Sequence, residues 1–314
     1  MKKVAVTGGA GFIGSHLTEL LLSQGYHIII VDDLSTGKME NIALLLKSGQ
    51  VEFIRGSITD LPLLQQLFQG VDYVFHQAAL ASVPRSIANP LASHEVNLTG
   101  TLNVLLAARD NAVKKVIYAS SSSVYGDTPT LPKGEAMIPD PLSPYAVTKL
   151  AGEYYCRVFH QAYRLPTVCL RYFNVYGPRQ DPDSQYAAVI PGFIKRAACD
   201  EPPVIFGDGE QTRDFTFVQD VVAANVLAAE SETCGVFNIS RGESITINRL
   251  AHLILELVGK KLEPIHQEPR TGDVRHSFAD ISKAKAFGYQ PKYGLAAGLT
   301  ETVRWFNEQQ VSVK

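Results

Sequence analysis

Short apolar runs recur along the first half of the chain, separated by longer segments with helical periodicity. The runs are apolar at successive positions and rich in Val, Ile and aromatic residues, as in strands covered on both faces of a parallel sheet. They predict strands at Val4–Thr7, Ile28–Val31, Val51–Ile54, Tyr73–Phe75, Val116–Ala119 and Val168–Leu170. The intervening segments predict helices at Ile13–Ser23, Leu61–Leu67, Asn97–Asn111 and Tyr145–Tyr163. This alternation predicts an α/β fold with a doubly wound parallel sheet.

The pattern changes after Asn174, where Gly and Pro become frequent at 176–178, 201–203 and 207–209. These residues punctuate loops, so the second half is predicted to form a smaller α+β unit. We predict a doubly wound domain over 1–174 and a mostly separate domain over 175–314. The boundary is soft, because the segment Phe217–Ala229 could return to the sheet.

A glycine-rich turn joins the first predicted strand to the first predicted helix. Gly8, Gly11 and Gly14 let the backbone turn sharply and approach a pyrophosphate, to which the helix N-terminus offers free N–H groups. Asp32 and Asp33 end the second predicted strand, where a carboxylate binds the adenosine ribose and repels a 2′-phosphate. Alone, either feature could be purely structural. In this strand–turn–helix context, they predict a Rossmann-type site for NAD rather than NADP.

A tyrosine and a lysine lie four residues apart at the start of the last predicted helix. Tyr145 and Lys149 therefore share one helix face, and a nearby ammonium lowers the pKa of a phenol from about 10 toward the working pH. Tyr145 can then act as a general base. The spacing is common in ordinary helices, but upstream a predicted strand ends in the serines of 120–123, at the sheet edge where ligands bind. A serine hydroxyl both donates and accepts, so it can relay a proton.

Together these motifs resemble the extended short-chain dehydrogenase/reductase family over nearly the whole chain. More narrowly, the chain is similar to the 4-epimerases of UDP-hexoses and UDP-N-acetylhexosamines. The resemblance rests on Thr-Gly-Gly-Ala-Gly-Phe-Ile-Gly (7–14), Ser-Ser-Ser-Val-Tyr-Gly (121–126), Tyr-x-x-x-Lys (145–149), Arg-Tyr-Phe-Asn-Val-Tyr-Gly-Pro (171–178) and Asp-Phe to Asp-Val (214–221). It implies that Ser121, Tyr145 and Lys149 are catalytic. Ser121 stands at the position where the family keeps its catalytic Ser or Thr.

The resemblance also implies further binding residues. Besides the glycines, aspartates, Tyr145 and Lys149, the residues implied to bind NAD are Phe12, Ile13, Ser57, Ile58, Ala78 and Asn97. Ser57 departs from the Asp with which many relatives contact adenine, so that contact is expected to be weaker or shifted. The residues implied to bind the UDP-sugar are Asn174, Arg213 and Arg270 at the phosphates and, elsewhere, Ser82, Ser121, Ser122, Ser123, Tyr145, Asp273 and Ser277.

The residues after Ser121 narrow the chemistry that the resemblance implies. Related 4,6-dehydratases carry an Asp-Glu pair directly after the corresponding Thr, and UDP-glucuronate decarboxylases carry a Glu at the second of these places. Ser122 and Ser123 stand there in this chain. What remains is reversible oxidation at C4 through a 4-keto sugar, which makes the chain an NAD-dependent C4 epimerase. Two alternatives stay open: another nucleotide-sugar-modifying enzyme, such as a dehydratase or decarboxylase, and a non-catalytic NAD-binding sensor.

The preferred sugar is implied by Ser277, which aligns with the family's gate residue. A tyrosine there restricts relatives to UDP-glucose and UDP-galactose, whereas a small residue leaves room for an N-acetyl group at C2. The segment around Ser82 is also similar to that of the N-acetylhexosamine epimerases. We therefore expect turnover of UDP-N-acetylglucosamine and UDP-N-acetylgalactosamine, with UDP-glucose and UDP-galactose also accepted. The alternative is that Ser277 is an ordinary surface serine.

Composition argues against other classes of partner. Charged residues make up 19% of the chain and the formal net charge is −2, so no basic field attracts nucleic acid or an anionic membrane. The apolar runs are too short to cross a bilayer, and we expect a cytoplasmic protein. The four cysteines have no paired short spacing, which argues against a zinc site or a disulfide framework. They are Cys156, Cys169, Cys199 and Cys234. The resemblance implies a homodimer that packs helices Asn97–Asn111 and Tyr145–Tyr163 into a four-helix bundle.

Overall fold

The computed structural model describes residues 2–182, 189–269 and 274–311. The strands are β1 Lys3–Thr7, β2 His27–Asp32, β3 Val51–Arg55, β4 Tyr73–His76, β5 Lys115–Ser121, β6 Thr167–Tyr172, β7 Val175–Tyr176, β8 Val204–Phe206, β9 Thr212–Arg213, β10 Thr216–Phe217, β11 Gly235–Ile239, β12 Ile245–Thr246 and β13 Ile265–Gln267. The helices are α1 Phe12–Ser23, α2 Ala43–Leu46, α3 Leu61–Leu67, α4 Val83–Ala88, α5 Pro90–His94, α6 Gly100–Asp110, α7 Pro144–Tyr163, α8 Val189–Ala198, α9 Val218–Glu230, α10 Ile247–Val258, α11 Ser282–Ala286 and α12 Leu295–Val311.

The central sheet has seven parallel strands in the order β11-β6-β5-β4-β1-β2-β3. The predicted doubly wound α/β fold is therefore confirmed, and all six predicted strands form with slightly wider bounds. The seventh strand, β11, comes from the second half of the chain and pairs with β6. The segment Phe217–Ala229 reaches the sheet as helix α9, which packs against α1, β5 and β6.

Both faces of the sheet are buried, which explains why its strands are apolar at successive positions. Val4 and Val6 of β1 belong to the core cluster that includes Leu17 of α1. Ala5, which lies between them, belongs to the cluster on the opposite face with Leu105 of α6. Successive side chains of one strand thus fill two cores.

Helix α7 starts where the sequence predicts. Ser143 caps it by accepting a hydrogen bond from the Ala146 N–H at 3.1 Å, and Pro144 occupies the first turn. The predicted helix Asn97–Asn111 is longer in the structure, because α5 continues through a π-helical segment at Glu95–Thr99 into α6.

The second half also forms three two-stranded sheets, which pair β10 with β7, β12 with β9 and β13 with β8. Helices α8, α10 and α12 pack on one another beside them. The division into domains over 1–174 and 175–314 stays a prediction. No helix in the described ranges is long and apolar enough to cross a membrane.

Candidate active site

A cavity of about 300 Å³ runs along the carboxyl ends of six neighbouring strands, β3, β2, β1, β4, β5 and β6. This edge is where parallel α/β sheets hold their ligands, because the turns that follow the strands leave a crevice there. Most of the predicted cofactor residues line this cavity, together with two of the three predicted catalytic residues: Gly8, Gly11, Phe12, Ile13, Gly14, Asp32, Asp33, Ser57, Ile58, Ala78, Tyr145 and Lys149.

The glycine turn leaves no space for side chains. Gly8 has a φ of +71°, and a Cβ there would lie 2.7 Å from the backbone of Ala78. A Cβ on Gly14 would lie 2.1 Å from the carbonyl oxygen of Gly8. The backbone of the turn and the first turn of α1 therefore face the cavity bare, which fits a pyrophosphate.

Asp32 is fixed at the far end of the cavity. Its two carboxylate oxygens accept hydrogen bonds from the backbone N–H groups of Ala10 at 3.0 Å and Leu34 at 2.9 Å. Burial raises the pKa of Asp32, and these two hydrogen bonds oppose the rise. Lys38 forms an ion pair with Asp181 at 3.3 Å. Because that ion pair offsets the lysine charge, this end of the cavity fits an unphosphorylated adenosine ribose.

Two predicted cofactor residues bond to the protein itself. The Ser57 hydroxyl lies 2.9 Å from that of Thr59 and accepts a hydrogen bond from the Thr59 N–H at 3.2 Å. Asn97 does not line the cavity: its side chain bonds to the backbone N–H and carbonyl of Leu80 and to the Thr148 hydroxyl. Thr148 in turn donates to the carbonyl of Tyr145 at 2.8 Å. Asn97 thus ties the loop after β4 to the first turns of α7, and its direct contact with NAD stays a prediction.

Tyr145, Lys149 and Ser121 come together at the ends of α7 and β5. The Lys149 ammonium donates to the carbonyl of Ala119 at 2.7 Å and lies 5.9 Å from the centre of the Tyr145 ring. The Ser121 hydroxyl accepts bonds from the Ser123 N–H at 3.2 Å and the Ser123 hydroxyl at 2.9 Å. With both acceptor positions used, its own proton is left to donate.

The pKa shifts of this group have burial as their main cause. Burial lowers the pKa of Lys149 to about 8, against the opposing charges of Cys156 and Glu153. Burial raises the pKa of Tyr145, and its hydrogen bond with Ser121 opposes the rise. The pKa of Tyr145 therefore moves in the opposite direction to the sequence argument, because desolvation outweighs the hydrogen bond with Ser121. A bound positive charge beside Tyr145 would lower it.

A second cavity of about 260 Å³ lies between the small sheets of the second half. Asn174 and Arg213 line it together with Phe193, Phe206 and other apolar side chains. The Asn174 side chain donates to the carbonyl of Asp214 at 2.9 Å, and Arg213 donates to the carbonyl of Thr212 at 2.9 Å. The cavity thus combines aromatic walls with a guanidinium and an amide, a suitable lining for a base with attached phosphates.

The remaining residues that are predicted to bind the substrate lie in different parts of the structure. Arg270 and Asp273 lie outside the described residues. Ser277 is half-buried and donates from its backbone N–H to the carbonyl of Thr212 at 3.1 Å, next to Arg213, but it lines neither of the two cavities. The Ser82 hydroxyl accepts from the Arg85 N–H at 3.3 Å and caps α4. Ser122 and Ser123 are half-buried in the turn after β5.

Sequence reasoning missed Gln77 and Tyr172, which also line the first cavity. The Tyr172 hydroxyl lies 3.0 Å from Asn225 of α9 and 3.3 Å from the Gln77 side-chain oxygen, and burial raises its pKa to about 12. Tyr172 belongs to the Arg-Tyr-Phe-Asn-Val-Tyr-Gly-Pro motif at 171–178. The residues next to it in sequence do not indicate that its side chain lines the cavity. Its place at the cavity depends on the packing of β4, β6 and α9 against one another.

Residues 4–240 match the NAD dependent epimerase/dehydratase family. The chain belongs to this family, and NAD is its cofactor. It is 45% identical to the structure of a UDP-N-acetylglucosamine 4-epimerase from Methanobrevibacter ruminantium M1 in complex with UDP-N-acetylmuramic acid, with a TM-score of 0.95 and coverage of 98% of this chain and 99% of that one.

Two further relatives have related activities. The UDP-glucose 4-epimerase of Mycolicibacterium smegmatis is 40% identical, over 98% of this chain and 99% of its own. The structure of the Thermus thermophilus UDP-glucose 4-epimerase complex with NAD is 39% identical with a TM-score of 0.90, and covers 97% of this chain and 99% of that one. The chain is thus similar to UDP-sugar 4-epimerases over their full length.

Proposed function

We propose that the protein is an NAD-dependent C4 epimerase of UDP-sugars. The observation that carries this proposal is that Tyr145 and Lys149 line the cofactor cavity while Tyr145 bonds with Ser121, which is followed directly by serines and not by carboxylates. Among the described residues, the carboxylates that line the cavity are those of Asp32, Asp33 and Asp181, which belong to its adenosine end.

The glycine turn and Asp32 would hold NAD, which would supply reversible hydride transfer at C4 of the sugar. The protein's own residues handle the proton and the position of the sugar. Tyr145 takes the proton of the 4-hydroxyl and later returns it. Ser121 donates its free proton within the same hydrogen-bonding group, and the Lys149 ammonium favours the phenolate form of Tyr145.

The dehydratase alternative requires acidic groups where the described turn after β5 has serines. Removal of water from the sugar needs an acid and a base beside the catalytic hydroxyl. Ser122 and Ser123 occupy these places, and Ser123 is engaged in hydrogen bonds with Ser121. A non-catalytic sensor would have no need for the complete Ser121, Tyr145 and Lys149 set.

The nucleotide part of the substrate must stay bound while the sugar rotates within the site. We assign the uracil and phosphates to the second cavity, where Arg213 and Asn174 lie, with Arg270 as a predicted second phosphate ligand. A guanidinium binds phosphate oxygens in a bidentate manner, which suits an anchor remote from the reacting carbon. In this arrangement, residues 1–174 mainly hold NAD and residues 175–314 mainly hold the nucleotide-sugar.

We assign UDP-N-acetylglucosamine and UDP-N-acetylgalactosamine as substrates, with UDP-glucose and UDP-galactose also turned over. This assignment is supported by the small side chain of Ser277, whose backbone lies against Thr212 beside the proposed phosphate ligand Arg213.

The test is to incubate the purified protein with UDP-glucose, UDP-N-acetylglucosamine and UDP-glucuronate and to separate the products. Interconversion of the 4-epimers supports the proposal. A dehydrated or decarboxylated product would assign the protein to another branch of the family, and no product with any sugar would favour a sensor.

The substitution Ser277→Tyr tests the sugar assignment. A phenol in place of the hydroxymethyl group should abolish turnover of UDP-N-acetylglucosamine and spare that of UDP-glucose. The matched control is Ser231→Tyr, a serine at the end of α9 whose hydroxyl donates to the carbonyl of Ala228, whereas Ser277 lies beside Thr212 and Arg213. An equal loss with both substrates, or refusal of the N-acetyl sugar by the unaltered protein, would contradict the assignment.

A further inference from the structure

Three side chains on one face of α7 hold the carboxyl end of β5. Tyr145 bonds with Ser121, Lys149 donates to the Ala119 carbonyl at 2.7 Å, and Glu153 accepts from the Ser120 hydroxyl at 2.5 Å. Residues 145, 149 and 153 are spaced by four, so they form one row along the helix.

Glu153 also forms a buried ion pair with β6. Its two carboxylate oxygens accept hydrogen bonds from Arg171 at 2.8 and 2.7 Å, and both side chains are almost fully buried, 3% and 4% exposed. The arginine stacks 4.7 Å from the centre of the Tyr125 ring. Such a pair gains little net stability over apolar residues, because desolvation offsets the attraction. The cost of burying it suggests a second task.

That second task lies one helical turn away, at Lys149. We propose that Glu153 is a positioning residue of the active site: its carboxylate, oriented by Arg171 and Ser120, keeps Lys149 charged beside Tyr145. The motif that acts in this protein is then Tyr-x-x-x-Lys-x-x-x-Glu. Glu153 lines neither cavity, so any effect on the reaction reaches the site through the residues that it contacts or faces, Ser120 and Lys149.

The surroundings of Lys149 explain why it needs such support. The ionisable groups that act on it or contact it are Tyr145, Glu153 and Cys156 on α7, Tyr118 on β5 and His76 on β4. Arg171 on β6 pairs with Glu153. On the helices packed on the outer side of α7, the charged groups Arg85, His94 and Glu95 are exposed. Glu153 is the carboxylate that α7 places one turn from Lys149, and Cys156 and Glu153 both raise the pKa of Lys149 against burial.

The sign of the expected effect follows from this charge. In Glu153→Gln the carboxylate is gone and Arg171 keeps its charge, so the pKa of Lys149 falls. Opposite charges nearby shift a pKa by about 1–3 units, and we expect about 1 because Arg171 shares the carboxylate. If Lys149 must be charged for Tyr145 to work, the alkaline limb of the kcat profile moves to lower pH by the same amount.

The first measurement follows the pKa of Lys149 directly, by NMR titration of protein labelled with ¹³C at the lysine ε-carbons. Lys149→Arg identifies the signal. This arm does not depend on the proposed function. A Lys149 pKa in Glu153→Gln equal to that of the unaltered protein would overturn the inference.

The second measurement is the pH profile of kcat and KM for UDP-sugar epimerisation, and it does rest on the proposed function. We expect the alkaline limb of kcat to move while KM at neutral pH is retained. A shifted Lys149 pKa without any epimerase activity in the unaltered protein would reject the proposed function but leave the positioning role of Glu153 standing.

Two controls separate positioning from stability. Asp220→Asn removes another buried carboxylate, one that accepts from the N–H groups of Lys292 and Tyr293; it should lower the melting temperature and leave the Lys149 pKa unchanged. If Glu153→Gln does not fold, Glu153→Leu with Arg171→Met carries the test, since apolar replacement of a buried pair is often neutral for stability. That double variant should fold and still show a lowered Lys149 pKa; an unchanged value would make the pair purely structural.

Discussion

At the scale of single residues, the pKa values of the site depend on how deeply each ionisable side chain is buried and on which charges lie near it. Tyr145 lies in a partly buried position that raises its pKa, while Lys149 is buried enough for its own pKa to fall to about 8. The two shifts bring the pKa values of the phenol and the ammonium to opposite sides of their usual order, with burial as the main cause of both.

Removal of the phenol should separate catalysis from binding. Tyr145→Phe should keep the fold and bound NAD and lose about 10²–10⁴-fold in kcat, because a positioned general base contributes that much. Steady-state kinetics and the ratio of bound NAD to protein check this. Tyr163→Phe, at the exposed end of the same helix, is the matched control, and near-normal kcat in Tyr145→Phe would remove Tyr145 from the mechanism.

The candidate site was predictable in sequence mainly where spacing alone defines it. The glycines, Asp32 and the Tyr145–Lys149 pair each depend on neighbours within one turn or one strand end, and the structure brings them to one cavity. Glu153, Gln77 and Tyr172 escaped detection, because their partners come from strands and helices far away in the chain. Asn97 was assigned to the cofactor from resemblance, whereas its amide is occupied by Leu80 and Thr148.

At the scale of elements, the unit β1–turn–α1 shows how tightly backbone geometry constrains the cofactor site. Gly11 donates to the carbonyl of Gly8 at 3.1 Å, and Ser15 donates to that of Gly11 at 3.0 Å, so the turn passes into the helix without a break. Helix α1 then packs on α9, an element from the second half of the chain. The glycine turn is thus fixed by its own backbone hydrogen bonds and by the packing of α1 on α9.

A single methyl group should disturb this unit. In Gly14→Ala the Cβ would lie 2.1 Å from the carbonyl oxygen of Gly8, so the backbone must move. Local backbone strain costs about 1–3 kcal/mol, and we expect NAD affinity to fall by about tenfold or more. Calorimetric titration of the NAD-free protein measures the affinity.

The matched control for this change is Gly192→Ala on α8. A Cβ at Gly192 meets no atom within 4 Å, so affinity for NAD should stay the same. Equal affinity in Gly14→Ala would mean that the turn does not contact the cofactor.

At the scale of the whole molecule, the apolar surface is uneven. Helix α7 exposes Val147, Tyr154 and Val158 at spacings of seven and four, which places them on one face. Ile87 of α4 and Leu91 of α5 are 63% and 81% exposed, and both short helices pack against α7. An apolar patch of this kind marks a protein–protein contact.

We expect this patch, formed by Val147, Tyr154, Val158, Ile87 and Leu91, to be a homodimer interface. In the predicted helix Asn97–Asn111, Leu105 is fully buried in the core and Leu102 and Leu106 pack against that core, so the part of this helix in a dimer stays a prediction. Val158→Asp should convert a dimer to a monomer at micromolar concentration in light scattering, because a charge cannot be buried unpaired. Leu44→Asp, at an exposed leucine of α2, is the control; a monomeric parent protein would rule out the dimer.

The sequence by itself determined the features that depend on short-range order. Strand positions, the glycine turn, the capped start of α7 and the serine cluster follow from periodicity and from residues a few places apart, whose geometry is the same in any fold that contains them. The resemblance to a family then supplied the reaction class.

Tertiary structure decided what depends on distant segments meeting. Strand β11 joins the sheet because β6 offers an open edge, although its sequence carries a weak strand signal. The second cavity, the buried pair of Glu153 and Arg171 and the raised pKa of Tyr145 all arise from packing between elements that are far apart in sequence. Burial and partner charges are properties of the folded chain, so no local pattern could predict them.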